Sequence, residues 1–133
     1  MVARERLSVS FAGFLNQSEM PRAYAAADCL VLPSDYGETW GLVVNEAMAC
    51  GLPAIVSDHV GCGPDLVVEG RTGHAFPFAD VAALAERMLR LARDDGTRVR
   101  MGKQALEHIE AYSVQRAVEG TIAAARSVIG RAG

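Results

Sequence analysis

The chain has 133 residues, half of them apolar and 22% charged, with a formal net charge of −3. That is one domain's worth of polypeptide, able to bury roughly two-thirds of its unfolded surface around one core, and it excludes a disordered chain. The basic residues form no stripe along the sequence, which excludes a nucleic-acid backbone as partner.

Cys29, Cys50 and Cys62 are an odd number with no C-x-x-C spacing and no histidines at metal-ligand distance, so no metal is expected. They read as reduced thiols, with Cys50 and Cys62 as small core fillers. Met1 to Ser10 is charged and lacks the apolar stretch of a signal peptide. The longest apolar runs, such as Leu52 to Val56, are far too short to span a bilayer. The expected location is cytoplasmic, with peripheral membrane contact left open.

Leu7 to Ala12 reads as a strand closed by Gly13, and Ser18 as the N-cap of a helix through Ala27 with Pro21 in its first turn. Cys29 to Leu32 is continuously apolar, as suits a parallel strand covered on both faces. The loop from Pro33 leads to a helix over Gly41–Cys50, stopped by Gly51 and Pro53. Ala54 to Ser57 is a strand, Asp65 to Val68 a short turn, and His74 to Phe76 another strand. Asp80 caps a helix whose face Val81, Leu84, Ala85, Met88, Leu89 recurs at helical spacing, with Leu84, Met88 and Leu89 expected in the core. Thr97 to Ala111 reads as a more polar helix, and Ser113 caps a last one with Val114, Val118, Ile122 and Ile129 along one side. Strands alternating with helices predict an α/β, doubly wound, Rossmann-like parallel sheet of about four strands in one domain, 1–133, ending in helices over 80–130.

In such a sheet ligands bind beyond the carboxyl ends of the strands. The helix opening at Thr39, Trp40, Gly41, Leu42 and Val43 would present unpaired N–H groups and a positive dipole end there, an anion site, and Gly41 has no side chain to block a phosphate. Glu38 precedes this helix start and Glu46 lies about one turn in. A carboxylate accepts paired hydrogen bonds from a vicinal diol. A phosphate-binding helix end between two such carboxylates has the shape of a diphosphate flanked by two sugars. Glu near a helix start is also ordinary capping chemistry. Trp40 reads as a cap on the core, so that only its backbone is implicated. His59 reads as a surface histidine, His74 and His108 as structural or solvated, and Arg71 as a solvated turn residue.

The stretch Pro33 to Pro53, with Glu38-Thr39-Trp40-Gly41-Leu42-Val43-Val44-Asn45-Glu46 at its centre, resembles the E-x7-E region of the retaining GT-B glycosyltransferases of group 1, also called family 4. Gly61-Cys62-Gly63-Pro64-Asp65-Leu66-Val67, Gly70 to Pro77, Phe11-Ala12-Gly13-Phe14 and Tyr24 to Asp28 are similar to further landmarks of that family. The likeness runs in continuous order from about Val9 to Tyr112, and Asp65 stands where a glutamate is more usual. It implies that Glu38 contacts the transferred sugar near the reacting carbon and that Glu46 holds the ribose diol. It further implies that the backbone of Gly41, Leu42 and Val43, in the segment Thr39–Val43, receives the diphosphate. A nucleotide-sugar donor is the implied substrate, with no metal or other cofactor.

The resemblance also implies two preceding strands, an arginine and a lysine that clamp the diphosphate, and an acceptor domain, none with a counterpart here. The chain alone is therefore expected not to catalyse transfer. In the order 3-2-1-4-5-6 the strand Cys29–Leu32 would lack one neighbour, to be made good by pairing with Leu7–Ala12 or by association with another chain, including a second copy. Two other readings stand beside the transferase: a non-catalytic nucleotide-binding or interaction module derived from this domain, and a GT-B nucleotide-sugar epimerase, which the Glu38–Pro53 match disfavours.

Overall fold

A computed structural model describes residues 7–129; the expectations for Met1–Arg6 and for the helix end at Gly130 lie outside them. The sheet is parallel, three-stranded and in chain order: β1 (Leu30–Leu32), β2 (Ala54–Ser57) and β3 (Gly73–Phe76). Leu30 pairs with Ala54 and Val31 with Ile55, while Ala54 pairs with Gly73 and Ile55 with His74. Helices cross between the strands and flank them: α1 (Met20–Ala25), α2 (Leu42–Ala49), α3 (Gly63–Leu66), α4 (Val81–Arg93), α5 (Asp95–Ile109) and α6 (Val114–Ile129), with one 3₁₀ turn at Glu110–Tyr112.

β2 is buried along its whole length, with both faces of the strand covered, whereas β1, for which such cover was expected, is only half-buried. Ala54 and Val56 point into a cluster with Val44 and Met48 of α2, Val60, Cys62, Leu66 and Ala105 and Ile109 of α5. Ile55, on the opposite face, meets Phe76, Leu91 and Met101. A third cluster, Tyr24 with Ala47 and Leu52, fixes α1 on α2. Two close backbone approaches require glycine. A Cβ at Gly73 would lie 2.0 Å from the Ala54 carbonyl oxygen, and one at Gly102 would lie 2.1 Å from that of Gly51.

Several sequence expectations are corrected. The strand count is three, because Leu7–Ala12 forms no ladder; Leu7 and Val9 are about half exposed and Phe11 is 85% exposed. A strand exists only through a partner, and nothing among the described residues lies beside this one. The route that closes the sheet by pairing it with β1 is therefore not taken.

Asn16, not Ser18, organises the start of α1. Its Oδ1 accepts from the Ser18 and Glu19 N–H groups at 3.0 and 3.2 Å, and Glu19 Oε2 accepts from the Asn16 N–H at 3.0 Å. This is a reciprocal capping box. On α4 the buried residue is Leu91, with Leu84 half-buried, whereas Met88 and Leu89 are 46% and 49% exposed. They line a cavity of about 400 Å³ with Cys29 and Arg98 beside β1, where the sheet of the described residues ends.

The Asp80 cap is as expected, its side chain accepting from the Ala83 N–H at 2.9 Å. α5 begins two residues earlier than expected, at Asp95, and Asp94 caps it by accepting from the Thr97 N–H at 2.8 Å. Ser113 accepts from the Arg116 N–H at 3.3 Å at the head of α6. Cys62 is buried, but Cys50 is exposed on the last turn of α2, contrary to its expected place in the core. Among the described residues no helix is long and apolar enough to cross a membrane.

Candidate functional site

The loop between β1 and α2 leaves the carboxyl end of the sheet and is built by local hydrogen bonds. Asp35 accepts from the Gly37 N–H through its side chain at 2.9 Å and from the Glu38 N–H through its carbonyl at 3.1 Å. The following loop, after β2, locks onto it. The Cys62 N–H donates to the Trp40 carbonyl at 2.8 Å, the Gly61 N–H donates to that of Glu38 at 3.4 Å, and the Ser57 hydroxyl donates to that of Ser34. A Cβ at Gly61 would lie 1.9 Å from the Thr39 carbonyl oxygen, so only glycine admits this approach.

Gly41 opens α2 at φ +97°, in the left-handed region. A Cβ there would meet Leu32 and Val60 at 3.1 Å. The backbone conformation and the packing beneath the helix each favour glycine at this position. The Val44 N–H returns to the Gly41 carbonyl at 2.9 Å, and the N–H groups of Gly41, Leu42 and Val43 have no acceptor among the described residues. Three donors therefore stand without an acceptor among the described residues at the positive end of an eight-residue helix. Thr39 is exposed, and Trp40 is half-buried against the core with its indole N–H donating to Asn45 Oδ1 at 2.8 Å.

Glu38 is half-buried in the loop before this helix start, and Glu46 is exposed one turn along it. Glu46 is not free. Its Oε2 accepts the hydroxyl proton of Tyr24 at 2.8 Å, from a ring that is 6% exposed. Burial first, and then the hydrogen bond to Glu46, push the Tyr24 phenol up to about 12. Beside this pair lies a cavity of about 370 Å³ lined by Gln17, Met20, Pro21, Tyr24, Glu46 and Cys50. Tyr24 belongs to a stretch noted only as a family landmark, and its tie to Glu46 arises from tertiary packing of α1 on α2.

His59, expected at the surface, sits within an aromatic stack. It is half-buried between Tyr36 and Phe78, with ring centroids 3.7 and 4.7 Å away and near-parallel planes. The stack joins the three loops that follow β1, β2 and β3. Its Nδ1 is buried with no partner among the described residues, while Nε2 lies 3.8 Å from Asp58.

The remaining residues are structural. Burial alone would raise the Glu69 carboxyl, but the His74 ring at 2.8 Å, the Ala75 N–H and Arg87 hold it below the usual range. His108 lies 2.8 Å from the Asp65 carbonyl through Nε2. Arg71 sits in the turn leading into β3, at the amino end of the strand and away from the site. Burial pushes the Cys62 thiol up to about 11, so it is no nucleophile. Among the described residues no three His, Cys, Asp or Glu side chains cluster as metal ligands.

A family model described as glycosyl transferases group 1 matches residues 5–108. The D-inositol 3-phosphate glycosyltransferase of Corynebacterium efficiens is 43% identical over 95 residues, which make up 71% of this chain and 22% of that protein. Among solved structures, sucrose-phosphate synthase from Thermosynechococcus elongatus matches with a TM-score of 0.83 at 32% identity, over 99% of this chain and 33% of that one. The C-terminal domain of a glycosyl transferase group 1 family protein (LpcC) from Francisella tularensis matches with a TM-score of 0.76 at 25% identity, over 85% of this chain and 59% of that one. The chain thus spans about a fifth of the curated relative and a third of the synthase. The parallel sheet with its flanking helices is of GT-B type, and with the family model covering most of its length the chain belongs to the glycosyl transferases group 1 family.

Proposed function

We propose that this chain forms the donor-binding part of a retaining glycosyltransferase that moves a sugar from a nucleoside diphosphate to an acceptor hydroxyl. The observation that carries this reading is the start of α2. Gly41, Leu42 and Val43 offer three unpaired N–H groups at a helix end, with Glu38 before them and Glu46 one turn after. A diphosphate takes the N–H groups, and Thr39 and Trp40 shape the approach to them through their backbone. Glu46 accepts from the ribose hydroxyls, beside a cavity large enough for that end of a nucleotide. Glu38 accepts from hydroxyls of the transferred sugar near its anomeric carbon.

When the bond between that carbon and the β-phosphate oxygen breaks, the electron pair leaves with the diphosphate. Fixed dipoles aimed at the developing charge lower the barrier without reorganising. That arrangement supplies the stabilisation that a metal ion gives elsewhere, and no cofactor enters the scheme. The relatives carry transferase and synthase names that suit this reading.

Isothermal titration with UDP, GDP and ADP tests the proposal. Binding of at least one with a dissociation constant below about 1 mM, weakened tenfold or more by Glu46→Ala, is the expected result. No heat from any of the three at millimolar concentration would refute it and leave the interaction-module reading standing.

A further inference from the structure

We infer that Tyr24 is a positioning residue for Glu46: its buried hydroxyl holds one carboxylate oxygen so that the carboxylate faces the α1–α2 cavity ready for a diol. The inference rests on the proposed ribose role of Glu46. An exposed glutamate on a helix samples several rotamers and loses that freedom on binding. Here Oε2 already accepts from the Tyr24 hydroxyl at 2.8 Å, and the Tyr24 ring is packed among Ala47, Leu52, Met20 and Leu30.

The donor is held in place by its own ring, whose packing against Ala47 and Leu52 fixes α1 on α2. The phenol, pushed up to about 12, stays a proton donor at every working pH. Glu46 and Tyr24 line the same cavity, and Oε1 together with the second lone pair on Oε2 remain for ligand hydroxyls. Pre-ordering of this kind favours binding by removing a cost that the ligand would otherwise bear.

The test separates positioning from packing. Tyr24→Phe keeps the ring and removes the hydroxyl alone. The full chain, Tyr24→Phe, Glu46→Ala and the double variant are titrated with the tightest of UDP, GDP and ADP and with its 2′,3′-dideoxy counterpart. Wild type is expected to prefer the ribonucleotide. Tyr24→Phe should lose about five- to tenfold for the ribonucleotide and less than about twofold for the dideoxy form, with an unfolding midpoint that shows the variant folded. Once Glu46 is alanine, adding Tyr24→Phe should change neither affinity further.

Equal losses on both nucleotides, or an unchanged ribose preference, would overturn the positioning role while leaving the donor-site reading intact. Wild type that binds both forms equally would overturn the positioning role and the ribose role of Glu46 together, with the helix-end phosphate role still standing. Wild type that binds neither would overturn the donor-site reading and this inference with it.

Discussion

Gly61 lets the loop bearing Glu38 lie directly on the loop after β2, with the Thr39 carbonyl where a Cβ would be. Gly61→Ala should cost about 1–3 kcal/mol in a urea titration, since backbone on both sides must move. Gly41 carries a different constraint, a left-handed backbone with Leu32 and Val60 beneath it. Both glycines stand in motifs that could be quoted from the sequence, yet the reason for each was not legible there. A spacing shows that a residue type recurs beside a helix start; it does not show which neighbour occupies the space a side chain would take.

The same holds for His59, whose place in an aromatic stack depends on Tyr36 and Phe78 arriving from two other loops. Glu69 makes a pH prediction. Its folded carboxyl titrates below its ordinary value, so its contribution is present above about pH 4.5 and is lost as the pH falls through the lowered value. Glu69→Gln should therefore flatten the acid limb of stability against pH, which denaturation midpoints between pH 3 and pH 7 would register.

At the scale of elements, helix ends were legible where a single side chain caps its own third residue. Asp80 is the clearest case. Asp80→Ala should lower stability by about 1 kcal/mol in the same titration. Where two candidate caps compete, local spacing misled: Ser18 precedes the helix, but Asn16 and Glu19 satisfy each other's N–H groups. The apolar stripe of α4 was real in the sequence, while which part of it is buried depends on how far the sheet extends beneath it.

α6 is the extreme case. Its stripe Val114, Val118, Ile122, Ile129 is between 45% and 82% exposed, and the helix has no buried residue. Ending the chain after Ser113 should thus change the unfolding free energy by less than about 0.5 kcal/mol. A larger loss would mean that the helix packs where it is not seen to.

For the molecule as a whole, among the described residues, three parallel strands in sequence order leave β1 with an unpaired edge, beside which Cys29, Met88 and Leu89 open onto a cavity. The fold class and the segment that holds the candidate site were legible from the alternation of apolar runs and from one contiguous motif. The open edge of β1 was expected from the resemblance, whereas the link between Tyr24 and Glu46 was not legible, because it depends on how separate elements meet. The central claim is that the amides opening α2 and the carboxylate of Glu46 form one ligand site. Amide chemical-shift mapping of the ¹⁵N-labelled chain during titration with a nucleoside diphosphate tests it most directly. The account predicts the largest shifts at Gly41, Leu42 and Val43, continuing through Glu46 to Tyr24. Saturable shifts centred elsewhere, or none at millimolar nucleotide, would contradict it.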